Sequence, residues 1–283
     1  MSRAFVSRAF VAINLAAVLA IAVAAIPATA SAQQYADFES QWRNPNPSDA
    51  WDPAKPAGLA QEAPLTPEYR AIFEASLKDQ AAGGRGNNYR SSCVLDGMPR
   101  IMSLTTPMEI LIQPTLTFFI FQEAFARRVH TDGAAMPESE PPSFQGYSNG
   151  KWIDEDHDGR YDVLQVETRN FKGPRVLESS GLPLHQDNET VVNERIYLDK
   201  ANADILHDDI TTTDHAFARP WTVHKTYVRE RNPRWAEYNC QPPANAVFIG
   251  LDEYRLSPDN KLMPMRPGQP PPDLRYFKPR QAK

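Results

Sequence analysis

Only two cysteines, Cys93 and Cys240, occur in this chain, and neither stands in a Cys-x-x-Cys or beside a histidine. That leaves no cysteine metal site and no c-type haem attachment, both of which need paired ligands at close spacing. No dinucleotide fingerprint or phosphate loop is present, so the familiar dehydrogenase and kinase chemistries have no support. Gly83-Gly84-Arg85-Gly86 lacks the Lys-Ser/Thr of a phosphate loop and reads as a linker. His-x-His and His-x-x-x-His are also missing, and with them the short-range signature of zinc. A basic excess is absent: the formal charge is −5, which argues against nucleic acid and against anionic lipid as partners. Beyond residue 26 no apolar run is long enough to span a bilayer.

What is there begins with an address. Arg3 and Arg8 precede an apolar run from Ala9 to Ile26, then Pro27 and the small-residue stretch ending in Ala30-Ser31-Ala32. This is the pattern of a signal peptide, residues 1–32, cleaved before Gln33. Cleavage takes two positive charges from the formal −5 and leaves −7, with no membrane span in the mature chain. A periplasmic or secreted protein is expected. In that setting Cys93 and Cys240 are expected to form a disulfide, closing a loop of nearly 150 residues for about 4–5 kcal/mol at most. Two buried free thiols are the alternative.

Residues 33–90 read as an N-terminal arm and helix. The arm carries Asn44-Pro45-Asn46-Pro47, Pro53, Pro56 and Pro64 and is expected to lie extended on the surface. Thr66, Pro67 and Glu68 have the order of an N-cap, a first helical residue and a favourable first-turn charge, and Tyr69, Ile72, Phe73 and Leu77 recur at helical spacing. Residues 91–256 form the β domain. Glu109–Gln122 is rich in β-branched and aromatic residues, with Pro114 marking a turn between two strands. Alternating runs at 161–168, 190–199, 203–212, 221–230 and 235–240 predict further strands. The fold class is mainly β: an antiparallel meander, barrel-like and lipocalin-like, with one short helix and extended Pro-rich arms. A sandwich is the alternative. Residues 257–283, with Pro270-Pro271-Pro272, form a Pro-rich tail.

Several pieces recur in a fixed order: Cys93…Gly97-Met98-Pro99-Arg100, Arg127-Arg128…Asp132-Gly133, Gly146-Tyr147-Ser148-Asn149-Gly150-Lys151-Trp152, Val166-Glu167-Thr168…Phe171, Glu194-Arg195, Arg219-Pro220-Trp221-Thr222-Val223 and Glu237-Tyr238-Asn239-Cys240. In these the chain resembles a family of uncharacterised exported bacterial proteins. The resemblance covers over half of the mature chain and implies a secreted β-rich fold without an established chemistry. Two features depart from it. Members often end this region in Cys-His-Glu, whereas Cys240 is followed by Gln241-Pro242-Pro243, so a reaction resting on that His–Glu pair is not expected. An acidic insertion also follows the Gly-x-Trp segment.

That insertion, residues 154–162, places Asp154, Asp156 and Asp158 before Gly159, with Asp162 at the ninth position. Alternate carboxylates around a glycine turn can converge on calcium. Gln165 stands where an EF-hand has its bidentate glutamate, so a structural calcium hairpin is the expectation and no organic cofactor is. The rival reading is an acidic solvated turn. For catalysis the candidates are His207, Asp209, Asp214, His215 and His224. Alternation puts His207 and Asp209 on one face and Asp208 on the other, and His with a nearby carboxylate suits general acid–base work. Ligand-binding candidates are Arg195 and Tyr197 on one strand face and Trp221, Lys225 and Tyr227 on another. Pointing into a barrel, they would line an apolar pocket with charged anchors; pointing out, they are solvated charges.

The reading these residues support is an exported barrel that binds a small, apolar molecule. A cofactor-free lyase, isomerase or hydratase on the same fold, using a His/Asp pair, is the enzymatic alternative. A structural envelope protein is the third. The sequence does not choose an oligomeric state.

Overall fold

The computed structural model describes residues 34–46, 50–92, 94, 96–173, 175–237, 246–249, 252–257, 259, 261–265 and 268–271. The segment expected to be a signal peptide, residues 1–32, and both cysteines lie outside the described residues. Nine strands close into one barrel: β1 (Gln41–Arg43), β2 (Met108–Ile112), β3 (Leu116–Phe121), β4 (Arg127–His130), β5 (Tyr147–Ile153), β6 (Val163–Arg169), β7 (Val191–Leu198), β8 (Ile205–Thr213) and β9 (Trp221–Arg229). Each pairs with its neighbour in chain order, and β1 closes on β9 through Trp42↔Arg229 and Arg43↔Val228. The mainly β, barrel-like fold is as expected, with one difference. β4 and β5 run parallel, in register Val129↔Ser148. Strand directions can alternate all round a closed ring only when the strand number is even, so nine strands require one parallel join. The long connection from His130 to Tyr147 supplies the crossover that such a pair needs.

Period-two alternation sets the inside of the barrel. Met108, Ile110 and Ile112 of β2, Thr117, Phe119 and Phe121 of β3, and Leu206, Asp208, Ile210 and Thr212 of β8 are all buried, while their neighbours are more exposed. The two strands on either side of Pro114 pair as the sequence predicts. Strands β6 to β9 match four of the predicted runs to within two residues at each end, whereas Trp235, Ala236 and Glu237 belong to no strand.

The arm corrects its expectation. Trp42 and Trp51 are completely buried, and so is Phe38. Two indoles and a phenyl ring bury about 150–250 Å2 each, enough to hold a proline-rich segment inside. The arm therefore supplies both the closing strand and part of the core. Next comes α1 (Pro67–Ala81), opened by Thr66, whose hydroxyl accepts from the Tyr69 amide. Its buried face carries Phe73 and Ser76, whereas Ile72 faces solvent. Thr66 N donates to Ala216 O at 2.9 Å and Ala218 N to Pro64 O at 2.8 Å, so the helix start is sewn to the connection after β8. A 3-10 helix, Arg100–Ser103, is wholly buried. Past the barrel, β10 (Ala246–Ile249), β11 (Asp252–Leu256) and β12 (Leu262–Pro264) form a separate antiparallel sheet, so the predicted tail contributes a strand.

Candidate functional site

The ligand-binding candidates divide between the two sides of the barrel wall. Trp221, Lys225 and Tyr227 face inward and are nearly inaccessible. They meet the chain itself. Lys225 Nζ donates to Trp51 O and to Ser103 Oγ and lies 4.2 Å from the Trp51 ring centre, and Tyr227 Oη donates to Met102 O. The arm and the 3-10 helix thus occupy the space where an apolar ligand was expected against these residues.

Around that plug lies a polar interior, whose residues Arg127, Ser148, Thr168 and Glu194 fall in the motifs that carry the family resemblance, with no site role expected of them. Arg127 of β4 makes a two-pronged ion pair with Glu194 of β7, both almost fully buried. Its remaining donors reach Thr168 Oγ1 at 2.9 Å and Ser148 Oγ at 3.2 Å. Asp208 of β8 stands opposite Lys225 in register. It is completely buried, and neither carboxylate oxygen accepts a hydrogen bond. Burial pushes its carboxyl well above the usual range, and the Glu194 charge adds to the effect. Burial likewise raises the Tyr227 phenol. The available signal was Asp208 itself, an acid on the face opposite His207 and Asp209.

Arg195 and Tyr197 face outward, into a groove of about 530 Å3. Its walls come from the outer face of β7, the β7–β8 turn and the acidic β5–β6 turn, with Ala36 of the arm. Arg195 donates to both oxygens of Glu155, at 2.8 and 2.7 Å, which holds the Glu155 carboxyl below its ordinary value. The same guanidinium stacks 4.1 Å from the Tyr197 ring centre. Asp199 anchors the β7–β8 turn by accepting from the Ala201 and Asn202 amides.

From Asp199 a chain of hydrogen bonds crosses the outside of the sheet. His207 Nε2 lies 3.2 Å from Asp199 Oδ2, His207 Nδ1 lies 3.1 Å from His224 Nε2, and His224 Nδ1 lies 2.7 Å from Asp209 Oδ1. Contact with His207 keeps the Asp199 carboxyl below its ordinary value. Of this series, His207 and Asp199 also line the groove, and a histidine with a carboxylate beside it suits acid–base chemistry.

Asp214 and His215 sit elsewhere. They follow β8, whereas His207 lies near its start; the strand from His207 to Thr213 puts the two places about 20 Å apart. The five catalytic candidates therefore form two groups. Asp214 is buried and holds backbone: it accepts from the His185 and Ala216 amides and from Thr190 Oγ1.

In the acidic turn, donor oxygens of Asp154, Asp156 and Asp158 lie within 4.8 Å of one another. Those oxygens also accept the amides of Asp158, Gly159 and Arg160. Asp162 instead accepts the Glu155 amide at 2.8 Å, closing the neck of the turn. His157 and Gly159 adopt left-handed φ values of 60° and 90°. The glycine takes this freely.

No protein-family model matches the chain, and neither does a curated protein or a solved structure. Among the described residues no helix is long and apolar enough to cross a membrane.

Proposed function

We propose that this is an exported β-barrel protein that binds a small molecule in the outer groove between the acidic turn and the β7–β8 hairpin. One observation carries the reading: Tyr197, Arg195, Asp199 and His207 all line the same groove, whose volume falls in the ordinary range for small-molecule sites. The lining also defines the ligand. Ala36, Val163, Leu198 and Tyr197 offer an apolar wall, and Arg160, Arg195, Asp199, Lys200 and His207 offer charged and hydrogen-bonding groups of both signs. The matching ligand has an apolar body and a polar head. Native mass spectrometry of protein purified from the periplasm, with and without EDTA, tests this directly. The expected result is a retained organic molecule, with Tyr197→Ala weakening its binding about tenfold or more through lost stacking area. Recovery of bare protein, or a bound molecule indifferent to Tyr197→Ala, would count against the groove. The same spectra report calcium on Asp154, Asp156 and Asp158, which we propose as a structural staple, and the cleavage site before Gln33.

The hydrogen-bonded series Asp199–His207–His224–Asp209 favours a second reading, in which the groove is the active site of a cofactor-free lyase, isomerase or hydratase. His207 lines the groove and would exchange the proton; His224 and Asp209 would replenish it. With a turned-over ligand in hand, His207→Gln is expected to cost about 100-fold or more in kcat. Unchanged kcat would leave binding as the only role.

A further inference from the structure

At the barrel end opposite the groove, two loops bring His185, Asp187 and His215 together. One loop joins β6 to β7 and the other joins β8 to β9. His215 Nδ1 lies 2.5 Å and His185 Nδ1 3.0 Å from the same atom, Asp187 Oδ2. The imidazole rings face each other edge-on at 5.6 Å. One donor atom from each of the three residues falls within 4.8 Å of the others.

The backbone under these side chains is fixed from below. Asp214, buried, takes the His185 amide on Oδ1 and the Thr190 hydroxyl on Oδ2. Arg175, also buried, donates to the carbonyls of both His185 and Asp187 and to Thr190 Oγ1. The Tyr69 ring of α1 packs 5.6 Å from the His185 ring. Two buried charged groups therefore hold both loops in place while the rings remain accessible, with His215 about two-thirds exposed. An ordinary surface His–Asp pair has no such foundation.

The donors themselves crowd. His185 Nδ1 lies 3.0 Å from Asp187 Oδ2 and 3.0 Å from the Asp187 amide nitrogen, so the three side chains converge on one spot. Two imidazoles and one carboxylate form a donor set suited to zinc and its first-row neighbours, and poorly suited to calcium, which takes oxygen ligands. Three protein ligands leave a coordination position for water.

We propose that His185, Asp187 and His215 form a binding site for a divalent transition metal of the zinc class, separate from the acidic turn and from the groove. The site cross-links the two loops and, through Ala216 and Thr66, the start of α1.

Zinc chloride titrated calorimetrically into the full mature protein, stripped with EDTA and dialysed, tests this. One zinc per chain with a micromolar or lower Kd is expected, weakened at least 100-fold in His215→Ala. Asp156→Asn is expected to bind zinc as the wild type does. Cobalt(II) gives a second readout: visible d–d bands should develop in the wild type and be lost in His215→Ala. Because His215 is exposed, that variant should keep the wild-type circular dichroism; if it does not, the same titration on His185→Gln decides. Absence of zinc binding by the wild type, equal binding by both histidine variants, or binding that disappears in Asp156→Asn would each overturn the assignment.

Discussion

Glu194→Gln is expected to lower the unfolding free energy by about 3–5 kcal/mol, the usual cost of breaking a buried ion pair from one side. Against the roughly 5–15 kcal/mol that stabilises an ordinary domain, this would leave the variant close to unfolding at physiological temperature. The reason lies in Arg127. Its guanidinium is inside the barrel with no solvent contact, sits over the Phe119 ring, and has Glu194 as its charged hydrogen-bond partner. Removing the carboxylate leaves a positive charge in a low-dielectric interior whose remaining hydrogen-bond acceptors are the Ser148 and Thr168 hydroxyls and the Met102 sulfur. Urea melts of the two proteins measure the difference. The double variant Arg127→Met/Glu194→Leu removes both charges together and should recover most of the loss, because a well-packed apolar pair of similar volume often equals or exceeds a buried salt bridge. A double variant no better than Glu194→Gln would show that the pair contributes through its geometry, by tying β4 to β7 across the barrel, and not through charge balance alone.

The polarity of this interior also explains what could be read from the chain and what could not. Strands β6 to β9 were legible because enough of their inward positions are apolar for alternation to show, as in Val192, Glu194, Ile196 and in Leu206, Asp208, Ile210. Strand β4 was not legible. In Arg127-Arg128-Val129-His130 the first arginine points inward and the second outward, so hydropathy hides the alternation. Strand β1 is three residues just ahead of Pro45 and Pro47, and its place depends on the burial of Trp42, a long-range fact. Of the site, the grouping of Trp221, Lys225 and Tyr227 on one face was legible, but not that Trp51 and Met102 would fill the space before them. The His185, Asp187 and His215 cluster had no spacing to find. Asp187 and His215 are 28 positions apart, joined only because the β6–β7 and β8–β9 connections emerge at the same end of the barrel.

Asp208 is expected to make the protein less stable as pH rises. The carboxyl is enclosed, with Glu194, Arg127, Lys225, Asp209 and Tyr227 as the charged and titratable groups that act on it. Burial is the largest influence and the Glu194 charge reinforces it; Arg127 and Lys225 oppose it. Because neither oxygen accepts a hydrogen bond, the two cations do not replace the water that an ionised carboxylate has lost. Between the ordinary aspartate range and the raised value, the folded protein therefore keeps a proton that the unfolded chain has released. In that window the native state binds more protons, and stability falls with pH by up to about 1.4 kcal/mol per unit. Below the ordinary value both states are protonated and the cost disappears. Asp208→Asn has the shape of the protonated acid and cannot ionise, so its stability curve should lose this slope. The expected result is a variant about 1.4 kcal/mol or more above the wild type at pH 7.5, with the advantage shrinking toward pH 4. Chemical denaturation at the two pH values is sufficient to see it. If Asp208→Asn were instead destabilised at pH 7.5 and close to wild type at pH 4, the carboxylate would be ionised in the folded protein and paired with Lys225 across β8 and β9. The barrel would then hold two compensated ion pairs and not one pair with a neutral acid beside it.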